Sequence, residues 1–434
     1  MLPRIAVLAL AAVSAAPSFA ASGEGSLTQE QKRLNIESFE HVWTTVRDKH
    51  WDPKLGGLDW QSVHDELRPK LDRATTMDQA RAVMGDMLLR LHETHYGIIP
   101  GTVYEEIEGG KGGGKGEGGT GLEIRVVEGR ALVVSTEPGS PAANRGVKPG
   151  WEIERVEGKP LQPGLRKIER IMRDSTLRDL MLERAVSGRL AGETGSRVKV
   201  IFRDGQNRRE ALEIERARPR GIPVSFGNLP TLFLWVEWRK PRPDAGYIRF
   251  NLFFEPETLN QAVESALKDC GACRGFVIDL RGNIGGIGGL ALGLAGWFVD
   301  TPGLRLGDMF LRTGKIKFVV FPRPAPFRGK LAILVDGCSA STSEIFAGGM
   351  QDLKRARVFG TRTAGAALPS VIERLPNGDG FQYAIANYVS EGGKQLEGTG
   401  VIPDEPAGPS RRELLEGRDP ALDRALAWID AGTN

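Results

Sequence analysis

The sequence predicts a multidomain α/β protein: a helical N-terminal unit, an inserted β-rich segment and a mixed α/β core. Three observations predict it. At 434 residues the chain is longer than one ordinary domain. The tract GGKGGGKGEGG at 109–119 cannot hold regular structure and separates regions of different character. From about Asp244, short β-type runs alternate with helix-length amphipathic runs, the pattern of an α/β sheet.

The chain opens with MLPRIAVLALAAVSAAPSFAAS, which carries one arginine, an apolar run from Ile5 to Val13 and a small-x-small ending at Ser18-Phe19-Ala20. This reads as a secretory signal peptide cut after Ala20. Its apolar run of roughly a dozen residues is too short to cross a bilayer. A secreted or periplasmic protein is therefore expected, with no integral membrane segment after cleavage. The net charge of +3 is nearly balanced, and basic residues are mixed with acidic ones throughout. That excludes the clustered basic footprint of a nucleic-acid-binding protein.

From Ser26 to about Thr94, Leu34, Phe39, Val42 and Val46 recur at helix spacing, as do Val83, Met87, Leu88 and Leu91. Residues 120–217 instead alternate short β-type runs with turn residues, and RVKVIFRDGQNRREALEIER reads as a hairpin about Asp204-Gly205. Beyond Asp244, AGYIRFNLF is expected as a strand, PETLNQAVESALKD as a helix, RGFVIDLRGN as a buried strand and IGGLALGLAGWFV as a helix. The tail DPALDRALAWI starts with Asp419 as a helix N-cap and Pro420 in the first turn. The expected divisions are 1–20 (leader), 26–105, 106–217 and 218–434.

Chemistry concentrates in ILVDGCSASTSEIFAGGMQD, residues 333–352, a buried strand running into a helix through three serines and a threonine. A hydroxyl at such a junction sits where unpaired helix N–H groups can meet an oxyanion. It also needs a base. All five histidines, His41, His50, His64, His92 and His95, precede residue 96, and only Lys354 and Lys394 follow the serines. His92 and His95 with Glu93 and Asp86 lack His-Glu-x-x-His spacing and a third ligand, so no metal site is expected. No cofactor is expected either. Cys270-Gly-Ala-Cys273 is an oxidised pair in an exporting compartment or a redox motif, although a thioredoxin-like context is missing.

Two resemblances sharpen this. The entry Thr120-Gly121-Leu122, the helix start Ser140-Pro141-Ala142 and the turn Gly146-Val147-Lys148-Pro149-Gly150 resemble a PDZ domain. The resemblance implies a sheet edge that takes a peptide strand and a substrate-binding turn, Gly119, Thr120, Gly121 and Leu122, that captures a C-terminal carboxylate. The runs Asp279-Leu280-Arg281-Gly282-Asn283-Ile284-Gly285-Gly286, Ser339-Ala340-Ser341-Thr342-Ser343-Glu344-Ile345 and Glu397-Gly398-Thr399-Gly400-Val401-Ile402-Pro403-Asp404 resemble the serine peptidase family of C-terminal processing and tricorn-type proteases.

That family resemblance implies a crotonase-like ββα spiral core, peptide or protein substrates and Ser341 as nucleophile. Where the processing branch carries a lysine, this chain has Ala366. LHETHYGIIP, residues 91–100, instead matches the Ser–His arrangement of the tricorn-like branch. The resemblance therefore implies His95 as base, with Thr94 and Glu397 as the groups that hold it. It implies an oxyanion site of the N–H of Gly286, or of Gly285, with that of Thr342. Asp279 and Arg281 are expected as a structural ion pair, and Glu344 as a first-turn helix acid. The competing readings are a catalytically inactive peptide- or ligand-binding relative and a scaffold in which the PDZ-like part is the working element.

Overall fold

The computed structural model describes residues 8–10, 26–101, 117–224 and 231–431. The expected leader lies outside the described residues except for Leu8–Leu10, and so does the glycine tract up to residue 116.

Three helices build the first unit: α1 (Gln29–Lys49), α2 (Trp60–Asp72) and α3 (Met77–Leu89). Each starts at a side-chain cap, Thr28, Asp59 and Thr76, which satisfies an orphan N–H of the first turn. Phe39, Val42 and Val46 are buried as the spacing requires, whereas on α3 the inward position falls on Met84, beside the half-buried Val83. Trp43 and Trp60 tie α1 to α2 reciprocally, each indole N–H donating to the other's carbonyl at 3.0 Å. This apolar core continues into Leu368, Phe381 and Tyr383. The strand Gly97–Ile99 then pairs antiparallel with Gly380–Ala384. The His95 loop is thereby carried into the C-terminal half, as expected.

Residues 118–217 form an antiparallel sheet in the order Arg209–Glu215, Arg197–Arg203, Glu152–Val156, Arg130–Thr136, Leu122–Val127. It is covered by α4 (Pro141–Asn144), α5 (Gln162–Ile171) and α6 (Arg178–Leu190). The hairpin about Asp204-Gly205 and the Ser140-capped helix start stand where the sequence puts them.

The C-terminal sheet runs Val236–Arg242, Ala245–Phe250, Gly275–Asp279, Lys330–Val335, Ala356–Gly360, Glu405–Pro406, parallel after its first pair. Alternate residues face opposite sides. Phe276, Ile278, Leu331 and Ile333 pack under α7 (Pro256–Asp269), α8 (Gly289–Ala295) and α9 (Thr342–Asp352). Val277, Ala332 and Leu334 meet α11 (Pro420–Asp430), which follows the short α10 (Arg411–Leu415). Both faces are covered, which is why these strands read as continuous apolar runs. The helix expected over 287–299 is confined to α8, and Gly285–Ile287 is a short strand instead. Cys270 and Cys273 are disulfide-bonded where α7 ends.

α9 packs tightly enough to make a prediction. A Cβ on Gly349 would lie 2.6 Å from Leu306 Cβ and 2.8 Å from Leu306 Cα. Gly349→Ala therefore lowers unfolding stability by about 1–2 kcal/mol through overpacking, despite the ~1 kcal/mol helix preference for alanine. Denaturant unfolding measures this, and a stabilised variant would contradict the packing.

Candidate active site

The candidate residues gather at the carboxyl ends of the parallel strands, where open α/β sheets place their sites. After Asp279 the chain makes the loop Leu280–Gly286, and after Val335 it makes the turn Asp336–Ser341. Asn283 stitches the two together. Its carbonyl accepts from Ala340 N (3.0 Å) and Ser343 Oγ (2.9 Å), and its Nδ2 donates to Phe250 O (2.9 Å). Thr342 Oγ1 donates to Gly286 O at 2.9 Å. Ser339 Oγ donates to Leu280 O at 2.8 Å. Ser339 and Ser343 are thus bound into local structure.

Ser341 is the N-cap of α9, buried, with φ 62° and ψ −118°. A residue other than glycine held there is strained, so its surroundings must over-determine it. They do so through Glu344. Glu344 Oε2 accepts from Ser341 N (2.8 Å) and Ala366 N (2.9 Å), and Oε1 accepts from Thr363 Oγ1 (2.5 Å) and Gly365 N (2.8 Å). Expected as an ordinary first-turn acid, Glu344 is a fully buried hub. The Ser-x-x-Glu spacing of a capping box was the available signal.

His95 is also fully buried and at positive φ, 62°. Its Nδ1 lies 2.6 Å from Thr94 Oγ1, and Thr94 Oγ1 donates to Glu397 Oε2 at 3.0 Å. Glu397 also accepts from Thr94 N (2.7 Å) and Ala367 N (3.0 Å). Thr94 therefore touches His95, and Glu397 holds Thr94. With the Thr94 proton committed to Glu397, Thr94 accepts from His95 Nδ1–H, and Nε2 keeps its lone pair. That Nε2 has no hydrogen-bond partner among the described residues. The two assemblies meet at adjacent residues, Ala366 on Glu344 and Ala367 on Glu397.

The lysines stay away. Ala366 lies in an apolar cluster with Leu180, Cys338, Ala340 and Ala364. Lys354 is exposed, and Lys394 pairs with Asp352 at 2.8 Å. His92 is exposed. Among the described residues no group of three or more His, Cys, Asp or Glu could hold a metal.

Of the two glycines offered for the oxyanion site, Gly285 already donates its N–H to Asn283 Oδ1 at 2.9 Å, which leaves that of Gly286. The absence of a Cβ matters at Gly285, where one would stand 2.8 Å from Ser341 Oγ. Leu8–Leu10 pairs antiparallel with Gly285–Ile287 and meets Ser370 on its other side. An extended segment thus fits between these two edges, beside Ser341. Arg281 pairs with Asp279 (2.6 Å) and Asp419 (2.8 Å), as a structural brace should. Burial alone would raise the Asp279 carboxyl, but Arg281 and Arg249 hold it below its usual range.

α6 covers the site, with Leu180 on Cys338 and Ala340. A groove of about 790 Å³ runs beside it, lined by Gly119, Gly121, Leu122, Arg184, Gly282 and Ile284. Gly119 pairs with Ala217 through two 2.8 Å backbone bonds, and no described bond engages the N–H of Thr120 or Gly121. Burial, helped by Arg184, pushes His95 down to about 3. Burial pushes Glu344 and Glu397 up to about 7, against the donors that favour their ionised forms.

A serine on a strained strand-to-helix turn, a buried histidine with an oriented ring and glycine N–H groups alongside are the equipment of a serine hydrolase, and the comparisons make it a serine peptidase. Residues 244–407 match peptidase family S41, and residues 36–89 match the tricorn protease C1 domain. The chain is 27% identical over 389 residues to a chloroplastic C-terminal processing peptidase of Tetradesmus obliquus, covering 84% of this chain and 76% of that one. It is 26% identical over 322 residues to a carboxy-terminal-processing protease of Bartonella bacilliformis, covering 71% and 65%. Its fold matches a photosystem II D1 C-terminal processing protease with TM-score 0.59 at 23% identity, over 91% of this chain and 99% of the other.

The hydroxyl bridge predicts an acid limb set by Glu397. When Glu397 protonates, its O–H donates to Thr94 Oγ1, and the hydroxyl turns to donate to His95 Nδ1. The ring proton then moves to Nε2, which can no longer act as base. The rate should therefore fall as pH drops through about 7. Glu397→Gln should lower the rate on the order of 10-fold to 10²-fold and flatten that limb. A pH–rate profile checks both, and an unaltered limb in the variant would contradict the bridge.

Proposed function

We propose that this protein is an exported endopeptidase that processes proteins or peptides near their carboxyl ends, with Ser341 as nucleophile and His95 as general base. The Thr94 hydroxyl between His95 and Glu397 carries this reading, because it selects the imidazole tautomer that a base needs. Ser341 Oγ attacks the scissile carbonyl as His95 Nε2 takes its proton. The N–H groups of Gly286 and Thr342 receive the oxyanion. His95 then protonates the leaving amine, and water discharges the acyl-enzyme by the same route in reverse. The pairing along Gly285–Ile287 supports an extended substrate, bound as an added strand beside Ser341.

In this reading residues 106–217 are a PDZ domain inserted between the helical unit 26–105 and a crotonase-like peptidase core, 218–434. The unengaged N–H groups of Thr120 and Gly121 support carboxylate capture at Gly119–Leu122. Residues 1–20 act as the cleaved leader. A specific observation also favours a gating role for the inserted part: α6 lies over Ser341's surroundings, and His95 Nε2 has no partner among the described residues. The unit must move, or substrate must displace it, before reaction.

Ser341→Ala should abolish hydrolysis and fluorophosphonate labelling, while Ser339→Ala and Ser343→Ala still label. Peptide mass mapping that finds the label on Ser339 would reject the assignment. A catalytically silent ligand-binding relative would show no labelling at all. For carboxylate capture, wild-type enzyme should cut substrates with free C-termini better than their C-terminally amidated forms. Equal rates on both would remove that role and leave only the gate.

A further inference from the structure

We propose that Asp336 is a positioning residue that couples the docked 118–217 unit, through Arg125, to the oxyanion loop and the nucleophile turn. The inference rests on the reading of Ser341 and Gly286 given above and adds to it a residue that touches neither substrate nor reacting atoms.

Asp336 is the first residue after the strand Lys330–Val335, and its two carboxylate oxygens have separate tasks. Oδ1 accepts from Gly282 N (3.0 Å), Cys338 N (3.0 Å) and Ser339 Oγ (3.3 Å). One atom therefore fixes both the start of the Gly282–Gly286 loop and the turn that leads into Ser341. Oδ2 accepts from Arg125 Nε at 2.6 Å. Arg125 belongs to the strand Leu122–Val127 of the other unit, where Nη1 is held by Ile124 O (2.8 Å) and Nη2 by Glu123 Oε1 (3.1 Å).

Arg125 also lies close against the loop itself. Gly282 has φ 74°, and a Cβ there would stand 2.7 Å from Arg125 Nη2. The side chains of Arg125 and Asp336 are 13% and 14% exposed, so the pair is largely withdrawn from solvent screening. A second ion pair, Glu123–Arg249 at 2.5 Å, also joins the units, but it reaches the loop at Arg281, through Arg249 Nη2 on Arg281 O at 3.2 Å and through Asp279, 3.8 Å from Arg249 Nε. Asp336 alone among these groups hydrogen-bonds both the loop and the turn. A shift of the 118–217 unit is therefore felt first at Gly282 N and Cys338 N, four residues from Gly286 and three from Ser341.

The division of labour between the two oxygens gives a selective test. In Asp336→Asn the amide oxygen can keep the Oδ1 bonds while its NH₂ faces Arg125, so only the link between units is lost. Arg125→Met breaks the same link from the other side. On a short, C-terminally amidated peptide, each variant should lower kcat on the order of 10-fold to 10²-fold, the scale set by small misplacements of reacting groups. KM should change less than about 2-fold, because the lost interaction does not bind substrate. The double variant should be no slower than the slower single one, since both remove one interaction. Arg125→Lys, which can still reach Oδ2, should recover most of the rate. Thermal melts that match wild type separate positioning from unfolding.

Unchanged kcat in both single variants would overturn the proposal, as would losses that multiply in the double variant. A rise in kcat would also overturn it and make the pair a latch that holds the site shut. Ser341→Ala and His95→Ala are run on the same peptide. If they remain active, the catalytic assignment has failed rather than the coupling.

Discussion

Two buried carboxylates, Glu344 and Glu397, hold this site together, and they do so almost entirely with backbone N–H groups. Between them they gather residues 94, 341, 363–367 and 397, segments that share no secondary structure. Neither carboxylate has a described cation beside it, so hydrogen bonds alone offset the loss of water. That arrangement makes the positive φ of Ser341 and His95 tolerable, because each strained residue lies on or next to an N–H that a carboxylate holds. Both carboxyls are raised from 4.5 to about 7. Each group's contribution to folding is then complete below about pH 4.5 and is lost as pH rises through about 7. The ionised Glu397 that orients His95 is therefore the form that costs the fold most. Catalytic readiness and stability pull in opposite directions across neutral pH.

Periodicity and capping made much of the scaffold legible in the sequence. α7 spans the residues read as a helix, Asp419 caps α11 ahead of Pro420, and Asp279 pairs with Arg281 as expected. These are local features, decided by residues a few positions apart. The Thr94–Glu397 contact spans 303 residues and the Arg125–Asp336 contact 211, and no spacing rule reaches that far. For Thr94 the motif match supplied the residue but not the order of contacts. For Asp336 and Arg125 nothing marked them, since an Asp-Gly pair after a strand and an arginine within one are both ordinary.

Burial also changes what His95 is. An exposed imidazole is half protonated near 6.5, but in this dry setting the charged ring is disfavoured and the value falls to about 3. Glu344 and Glu397 are the groups raised to about 7, and Glu397 lies two hydrogen bonds away from the ring across a threonine hydroxyl. In the proposed mechanism the resting histidine is kept neutral until it takes the Ser341 proton, and the decision about which nitrogen carries its resting proton passes to Glu397. Threonine suits the intermediate position because its hydroxyl can accept from the ring while donating to the carboxylate, and can reverse both bonds.

The cover formed by α6 serves this arrangement and also stands in its way. Leu180 and its neighbours exclude the water that would otherwise let His95 charge and would weaken every N–H held by Glu344. The same packing leaves His95 Nε2 without a partner among the described residues and Ser341 without access to solvent. A substrate strand laid along Gly285–Ile287 would take the place of Leu8–Leu10, which pairs there while α6 keeps its position. The unit that carries α6 is tied to the loop Gly282–Gly286 at Asp336. In the proposed mechanism admission of substrate and alignment of the loop are therefore coupled through this contact.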